Sequence, residues 1–118
     1  MTAKISEKEL LTYTKQTLQY LANRGKVLYI RCGSFAGNLL DKHDRKHYVD
    51  NSNPGAPDFI VFGKRYTLFL ELKATGAKQR PDQVAWEKGL DRLGNGNYGY
   101  MTADSPELVN EALAFMTE

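Results

Sequence analysis

Cysteine is almost missing from this chain: Cys32 stands alone among 118 residues. That excludes an internal disulfide and a cysteine-based zinc cluster, and it suits a reducing cytoplasm. No apolar run approaches the roughly 20 residues that span a bilayer. The opening Met1-Thr2-Ala3-Lys4-Ile5-Ser6-Glu7-Lys8 has no signal-peptide core. The expectation is a soluble cytoplasmic protein with no membrane partner. Surplus charge is missing as well. A net +2, from 16 Lys and Arg against 14 Asp and Glu, is too small to announce a nucleic-acid binder, so any such reading depends on where the charges lie. Basic residues gather at 42–46, at Lys64-Arg65 and at 78–80, and an acidic site would balance them in the sum. There is no internal repeat and no low-complexity linker. A chain of this length makes one domain, 1–118, with a real core and no room for a separate recognition module.

What is present is a readable alternation of elements. Ser6 followed by Glu9 resembles a capping box, and Leu10, Leu11, Leu18 and Leu21 form an apolar stripe that stops at Gly25, which predicts a helix over 7–23. Residues 27–32 read as a strand. From 33 to 56 the chain is polar and lacks clear periodicity, which predicts a long loop, and such loops are usually functional or mobile. Two aromatic and aliphatic runs, 59–62 and 66–73, flank Gly63-Lys64-Arg65 and suit a β-hairpin. Pro81 opens a helix carrying Trp86, Leu90 and Leu93 before Gly94 and Gly96 end it. A strand follows at 98–102. Ser105-Pro106-Glu107 then supplies an N-cap, a first-position proline and a first-turn acid for a last helix over 106–116. The fold class is α/β, an αβββαβ core in which helices flank a mixed central sheet, plus a C-terminal helix.

The densest chemistry lies in 57–73, PDFIVFGKRYTLFLELK. With a two-residue loop at Lys64-Arg65, Gly63 pairs with Tyr66 and Phe62 with Thr67, and the count brings Asp58 opposite Glu71. Opposed residues hold their Cβ atoms about 4.5–5.5 Å apart, so two carboxylates there repel unless a cation sits between them. Alternation puts Glu71 and Lys73 on one face and Leu70 and Leu72 on the other. Lys64-Arg65 is not a favoured two-residue turn, and a one-residue slip would turn Asp58 away. The plain alternative is a strand ending in a solvated Glu-Leu-Lys.

The string PGAPDFIVF…LFLELKATGAKQRPDQVAWEKGLDRLG resembles the PD-(D/E)xK nuclease superfamily and, within it, the small VRR-NUC domain. The matching positions are Gly55, Pro57, Asp58, Glu71, Lys73, Gly76, Lys78, Gln83 and Trp86. The likeness runs from the first helix to the last. It implies a restriction-endonuclease-like fold and a metal-dependent endonuclease acting on DNA, with structured or branched DNA such as a junction or flap as the expected substrate and RNA open. A homodimer is the expected assembly. The implied metal ligands for Mg²⁺ or Mn²⁺ are Asp58, Glu71, the backbone carbonyl of Leu72, and Glu7. Lys73 would orient or deprotonate the attacking water and stabilise transition-state charge.

Two helical residues carry two readings each. Glu7 shares a helix side with Leu11, Leu18 and Leu21 while Glu9 points nearly opposite, so Glu7 either reaches the metal or its water, or supports the first turn against the macrodipole. Gln83 faces inward with Trp86 and Leu90. It either contacts the nucleic-acid backbone or positions Lys73, or it bonds the local backbone. Arg31 is a phosphate contact or an ion-pair partner. Lys42, Arg45 and Lys46, with His43 and His47, form a basic segment that touches DNA phosphates or a partner subunit, or is an exposed tip. Lys78 would hold a phosphate as a point charge. Two competing functions stay open. One is a nucleic-acid-binding or assembly protein that keeps the nuclease fold without cutting. The other is a zinc hydrolase in which His43 and His47 share a helix face.

Overall fold

A computed structural model describes residues 4–32, 36–40, 42–50, 57–93 and 96–118. Helix α1 spans Glu7–Asn23, and Ser6 caps it: its hydroxyl oxygen accepts the Glu9 N–H at 3.1 Å and its proton goes to Glu9 Oε1 at 2.9 Å. Strand β1 (Leu28–Arg31) follows. Segment 33–56, expected to be one long loop, instead contains strands β2 (Ala36–Leu40) and β3 (Lys46–Asp50), which pair antiparallel with Leu40 opposite Lys46. Residues 42–48 are exposed throughout, and Leu40 and Tyr48 are largely so. Sequence reasoning found no hydrophobic period in this segment, and the ribbon residues whose burial is described, Leu40 and 42–48, are all exposed.

The body of the domain is built on β4 (Phe59–Phe62), β5 (Thr67–Leu72), helix α2 (Pro81–Leu93), β6 (Tyr98–Ala103) and helix α3 (Pro106–Met116). The sheet runs β1-β4-β5-β6, antiparallel except for the β5–β6 pair. Parallel neighbours cannot be joined by a tight turn, and α2 is the crossover between them. Setting the β2–β3 ribbon aside, this is the expected αβββαβ order with the expected last helix.

Period-two alternation sorts the sheet into two faces. Phe59, Val61, Leu68, Leu70 and Leu72 are buried on one face, in a core shared with Leu10 and Leu18 of α1 and Val109 and Leu113 of α3. Phe69 and Glu71 lie on the other face, where Trp86 of α2 stands 6.4 Å from the Phe69 ring. At the end of the sheet where Glu71 lies, Thr75 joins three distant segments. Its N–H donates to the Ile5 carbonyl at 3.1 Å, its hydroxyl oxygen accepts the Ile5 N–H at 2.8 Å, and the hydroxyl proton reaches the Asp104 carbonyl at 3.3 Å. None of the described helices is long and apolar enough to cross a membrane.

The β4–β5 hairpin has the two-residue loop and the register read from sequence: Phe62 faces Thr67, and the Gly63 N–H donates to the Tyr66 carbonyl at 2.9 Å. Gly63 is also where α3 ends against the hairpin. A Cβ there would stand 2.6 Å from the Met116 carbonyl oxygen, a backbone atom that cannot swing aside. Gly63→Ala is therefore expected to destabilise the domain by about 1–3 kcal/mol, read as a lower urea midpoint with an unchanged m-value; a midpoint equal to wild type would contradict this packing.

Candidate active site

Asp58 sits where β4 begins, but not directly across from Glu71 as the hairpin count implies. The ladder stops at the Phe59–Leu70 pair, and the Asp58 N–H donates to the Leu70 carbonyl at 2.9 Å. The chain thereby leaves the ladder one residue early. The Asp58 side chain turns to accept the Leu72 N–H on Oδ2 at 2.8 Å. Arg31 fixes Asp58 from β1. Its Nη1 lies 3.4 Å from Asp58 Oδ1 and donates to the carbonyls of Asp58, at 2.9 Å, and Cys32, at 2.6 Å. Of its two sequence readings, ion-pair partner is the one this geometry fits.

Glu71, the second-to-last residue of β5, is 5% exposed. Its Oε1 accepts Gln83 Nε2 at 2.7 Å, while its buried Oε2 has no hydrogen-bond partner. Gln83, fully buried, also accepts the Arg80 N–H on Oε1 at 2.8 Å. That second bond is the reach-back of a third-position Gln to the residue before the helix. It fixes which end of the amide is the acceptor, so the NH₂ must face Glu71. Gln83 thus bonds the local backbone and a site carboxylate together, and the side chain it holds is Glu71, not Lys73.

Glu7, exposed in the first turn of α1, completes the cluster: carboxylate oxygens of Glu7, Asp58 and Glu71 all lie within 4.8 Å of one another. Crowding has a cost that falls on the most buried member. Burial, then the negative charge of Asp58, pushes the Glu71 carboxyl up to about 7; the Lys73 ammonium opposes this, Glu7 adds to it and Arg80 relieves it slightly. Lys73 is itself only 9% exposed, and its N–H donates to the Ala103 carbonyl at 2.9 Å. Three carboxylates, one of them with an orphaned buried oxygen, form an all-oxygen donor set that fits a hard divalent cation. A cation would satisfy Oε2 and remove the repulsion at once.

No protein-family model matches the chain, and no curated protein matches it. A solved structure described as a VRR_NUC domain does, with a TM-score of 0.56 over 93% of this chain and 97% of that one, at 18% sequence identity. The chain has the VRR_NUC domain fold. An identity this low makes the likeness one of architecture: a mixed four-stranded sheet with helices around it.

Other expected site residues fall elsewhere on the VRR_NUC fold. Lys42, Arg45 and Lys46 are exposed on the turn and second strand of the β2–β3 ribbon, and Lys78 is exposed in the segment before α2. His43 lies in the ribbon turn and His47 on β3, so they do not share a helix face. Among the described residues the carboxylate cluster is the only metal-ligand grouping of three, and the zinc reading loses its geometry. Sequence reasoning also overlooked Tyr100. The parallel register sets Tyr100 opposite Phe69 and Thr102 opposite Glu71, which puts Tyr100 on the face of Glu71. Burial, then the Glu71 charge, pushes its hydroxyl up to about 12, against a lowering hydrogen bond from Gln79, which also donates to Glu87 Oε2 at 3.3 Å. Its signal was the β6 register, which becomes visible only once β6 is paired.

The raised value at Glu71 has two consequences of definite sign. Without a cation, the folded state holds a proton that the unfolded chain has already released, so the contribution of Glu71 to stability is fully present below the ordinary value of 4.5 and is lost as pH rises toward about 7. Cation binding must displace that proton. Apparent Mg²⁺ or Mn²⁺ affinity is therefore expected to rise about tenfold per pH unit below about 7 and to level off above it. Isothermal titration in buffers of different ionisation enthalpy should show the proton released; a flat pH profile, or one unchanged by Glu71→Gln, would refute the assignment.

Proposed function

We propose that the protein is a divalent-metal-dependent endonuclease that hydrolyses phosphodiester bonds in DNA, with structured or branched DNA as its substrate. The observation that carries this reading is the cluster of Glu7, Asp58 and Glu71 carboxylates within 4.8 Å, in which buried Glu71 keeps one oxygen without a partner, beside a buried lysine. The VRR_NUC fold adds an architecture in keeping with it.

In this reading Glu7, Asp58 and Glu71 hold the cation, which would supply Lewis-acid polarisation of the phosphate and a more acidic water. The protein's own groups do the rest. Arg31 and the Leu72 N–H hold the Asp58 carboxylate, and Gln83 holds that of Glu71, so the ligands are oriented before substrate arrives. Lys73 orients the attacking water, takes part in moving its proton and stabilises the added negative charge at phosphorus. Partial burial of the cluster strengthens these charge interactions relative to water. The exposed Lys42, Arg45, Lys46 and Lys78 hold the strand through its phosphates. The protein works as a cytoplasmic homodimer, in which two copies grip the arms of a branched substrate.

Cleavage of labelled single-stranded, duplex, flap and four-way-junction DNA in Mg²⁺ or Mn²⁺ tests the reading. Wild type should cut, and Asp58→Ala or Lys73→Ala should lower the rate by about 10²- to 10⁴-fold with folding intact. Binding without cutting by wild type would favour the non-cleaving nucleic-acid-binding alternative and overturn the enzyme reading. The dimer is checked separately by light scattering, where the mass of one chain at working concentration would dismiss it.

A further inference from the structure

Helix α2 begins against the usual rules. The residue before it, Arg80, is its N-cap by hydrogen bonding: the Arg80 carbonyl accepts the N–H groups of Gln83 and Val84, both at 3.0 Å. Ser, Thr, Asp and Asn are strongly preferred at this position because their oxygens accept the free N–H groups of the first turn. Arginine offers no acceptor, and its positive charge meets the positive end of the helix dipole. Asp82 supplies the acceptor instead, its Oδ1 taking the Gln83 N–H at 2.9 Å, so the Arg80 side chain is not needed to cap the helix, and its charge, which eases that of Glu71, points toward the site.

The surroundings indicate the role of that charge. Gln83 links the Arg80 backbone to Glu71 through two bonds, 2.8 Å to the Arg80 N–H and 2.7 Å to Glu71 Oε1. The cap residue is thereby tethered to the carboxylate cluster by one rigid side chain. The guanidinium itself is barely engaged. Its Nε lies 3.6 Å from Asp82 Oδ1, with the two side chains 63% and 36% exposed, a pair of the kind that contributes little and is released at little cost. The result is a planar, permanently charged fork at the rim of the site, held by its backbone and free at its tip. Phosphate oxygens are the ligand such a fork matches.

Resting on the nuclease reading above, we propose that Arg80 is a substrate-binding residue that leaves Asp82 to take hold of a backbone phosphate of the nucleic-acid strand entering the carboxylate cluster. Asp82 is its resting partner, and Gln83 keeps the arginine in register with Glu71.

Arg80→Ser separates this role from a structural one, because serine with Gln83 three residues on completes a capping box. The variant is expected to melt at or above the wild-type temperature. Placed on a Lys73→Ala background, which blocks turnover, it should bind a fluorescein-labelled duplex about tenfold more weakly than Lys73→Ala alone. Its salt dependence should be shallower by about 0.9 in the log–log slope, one phosphate contact's worth. Arg80→Lys, which keeps the charge and loses the fork, should fall between the two. Unchanged affinity and slope would overturn the assignment, as would a loss of affinity that tracks a lowered melting temperature. If wild type cuts DNA and Arg80→Ser cuts it with the same KM, Arg80 alone is dismissed. If wild type neither binds nor cuts, the nuclease reading falls and this assignment falls with it.

Discussion

Mutual repulsion among Glu7, Asp58 and Glu71 is the constraint around which this small domain is arranged. Left to solvent, three carboxylates would spread apart; here each is tied to a different element, α1, the entry to β4, and β5. The ties scale with burial. Glu7, exposed in the first turn of α1, keeps its solvation. Asp58 is held by a backbone amide and a guanidinium. Glu71 is held by a buried amide that has a second anchor of its own. The protein thus spends hydrogen bonds where water can least relieve the charge, and leaves one oxygen without any.

Helix α2 shows the same arrangement from the other side. Only Gln83 among its residues is fully enclosed, so the helix contributes less to the core than α1 or α3. What it contributes is reach: as the crossover to a parallel strand it must pass over the face carrying Glu71, and its first turn passes closest. A surface helix of this kind is the natural place to adjust a site without disturbing the body that supports it.

Much of this was legible in the sequence, for identifiable reasons. Helices α1 and α3 were readable to the residue because Ser6 and Ser105 act locally, and the β4–β5 register was readable because Gly63 and the alternating apolar residues fix it within a dozen positions. The grouping of Glu7 with Asp58 and Glu71 was readable only through helix geometry together with family resemblance. The failures have a common cause in long-range contacts. The early exit of Asp58 from the ladder depends on Arg31 and Leu72, the amide of Gln83 finds its partner in another element, and Tyr100 joins the site through a parallel pairing that no local pattern announces. The β2–β3 ribbon was missed for the opposite reason: its pairing is local, but 33–56 shows no apolar alternation, and alternation is what makes a strand visible in sequence.

The Thr75 junction sets when the site can exist. Ile5 and Thr75 are 70 positions apart, and Thr75 also bonds to the backbone of Asp104, 29 positions further on. A chain made from its N-terminus onward therefore exposes Glu7 long before the strands that bear Asp58 and Glu71 have emerged, and it cannot close this junction until residue 104 is free of the ribosome. Through most of its synthesis the polypeptide carries separate acidic side chains, and the three carboxylates meet only when the two ends of the chain have been brought to the same edge of the sheet.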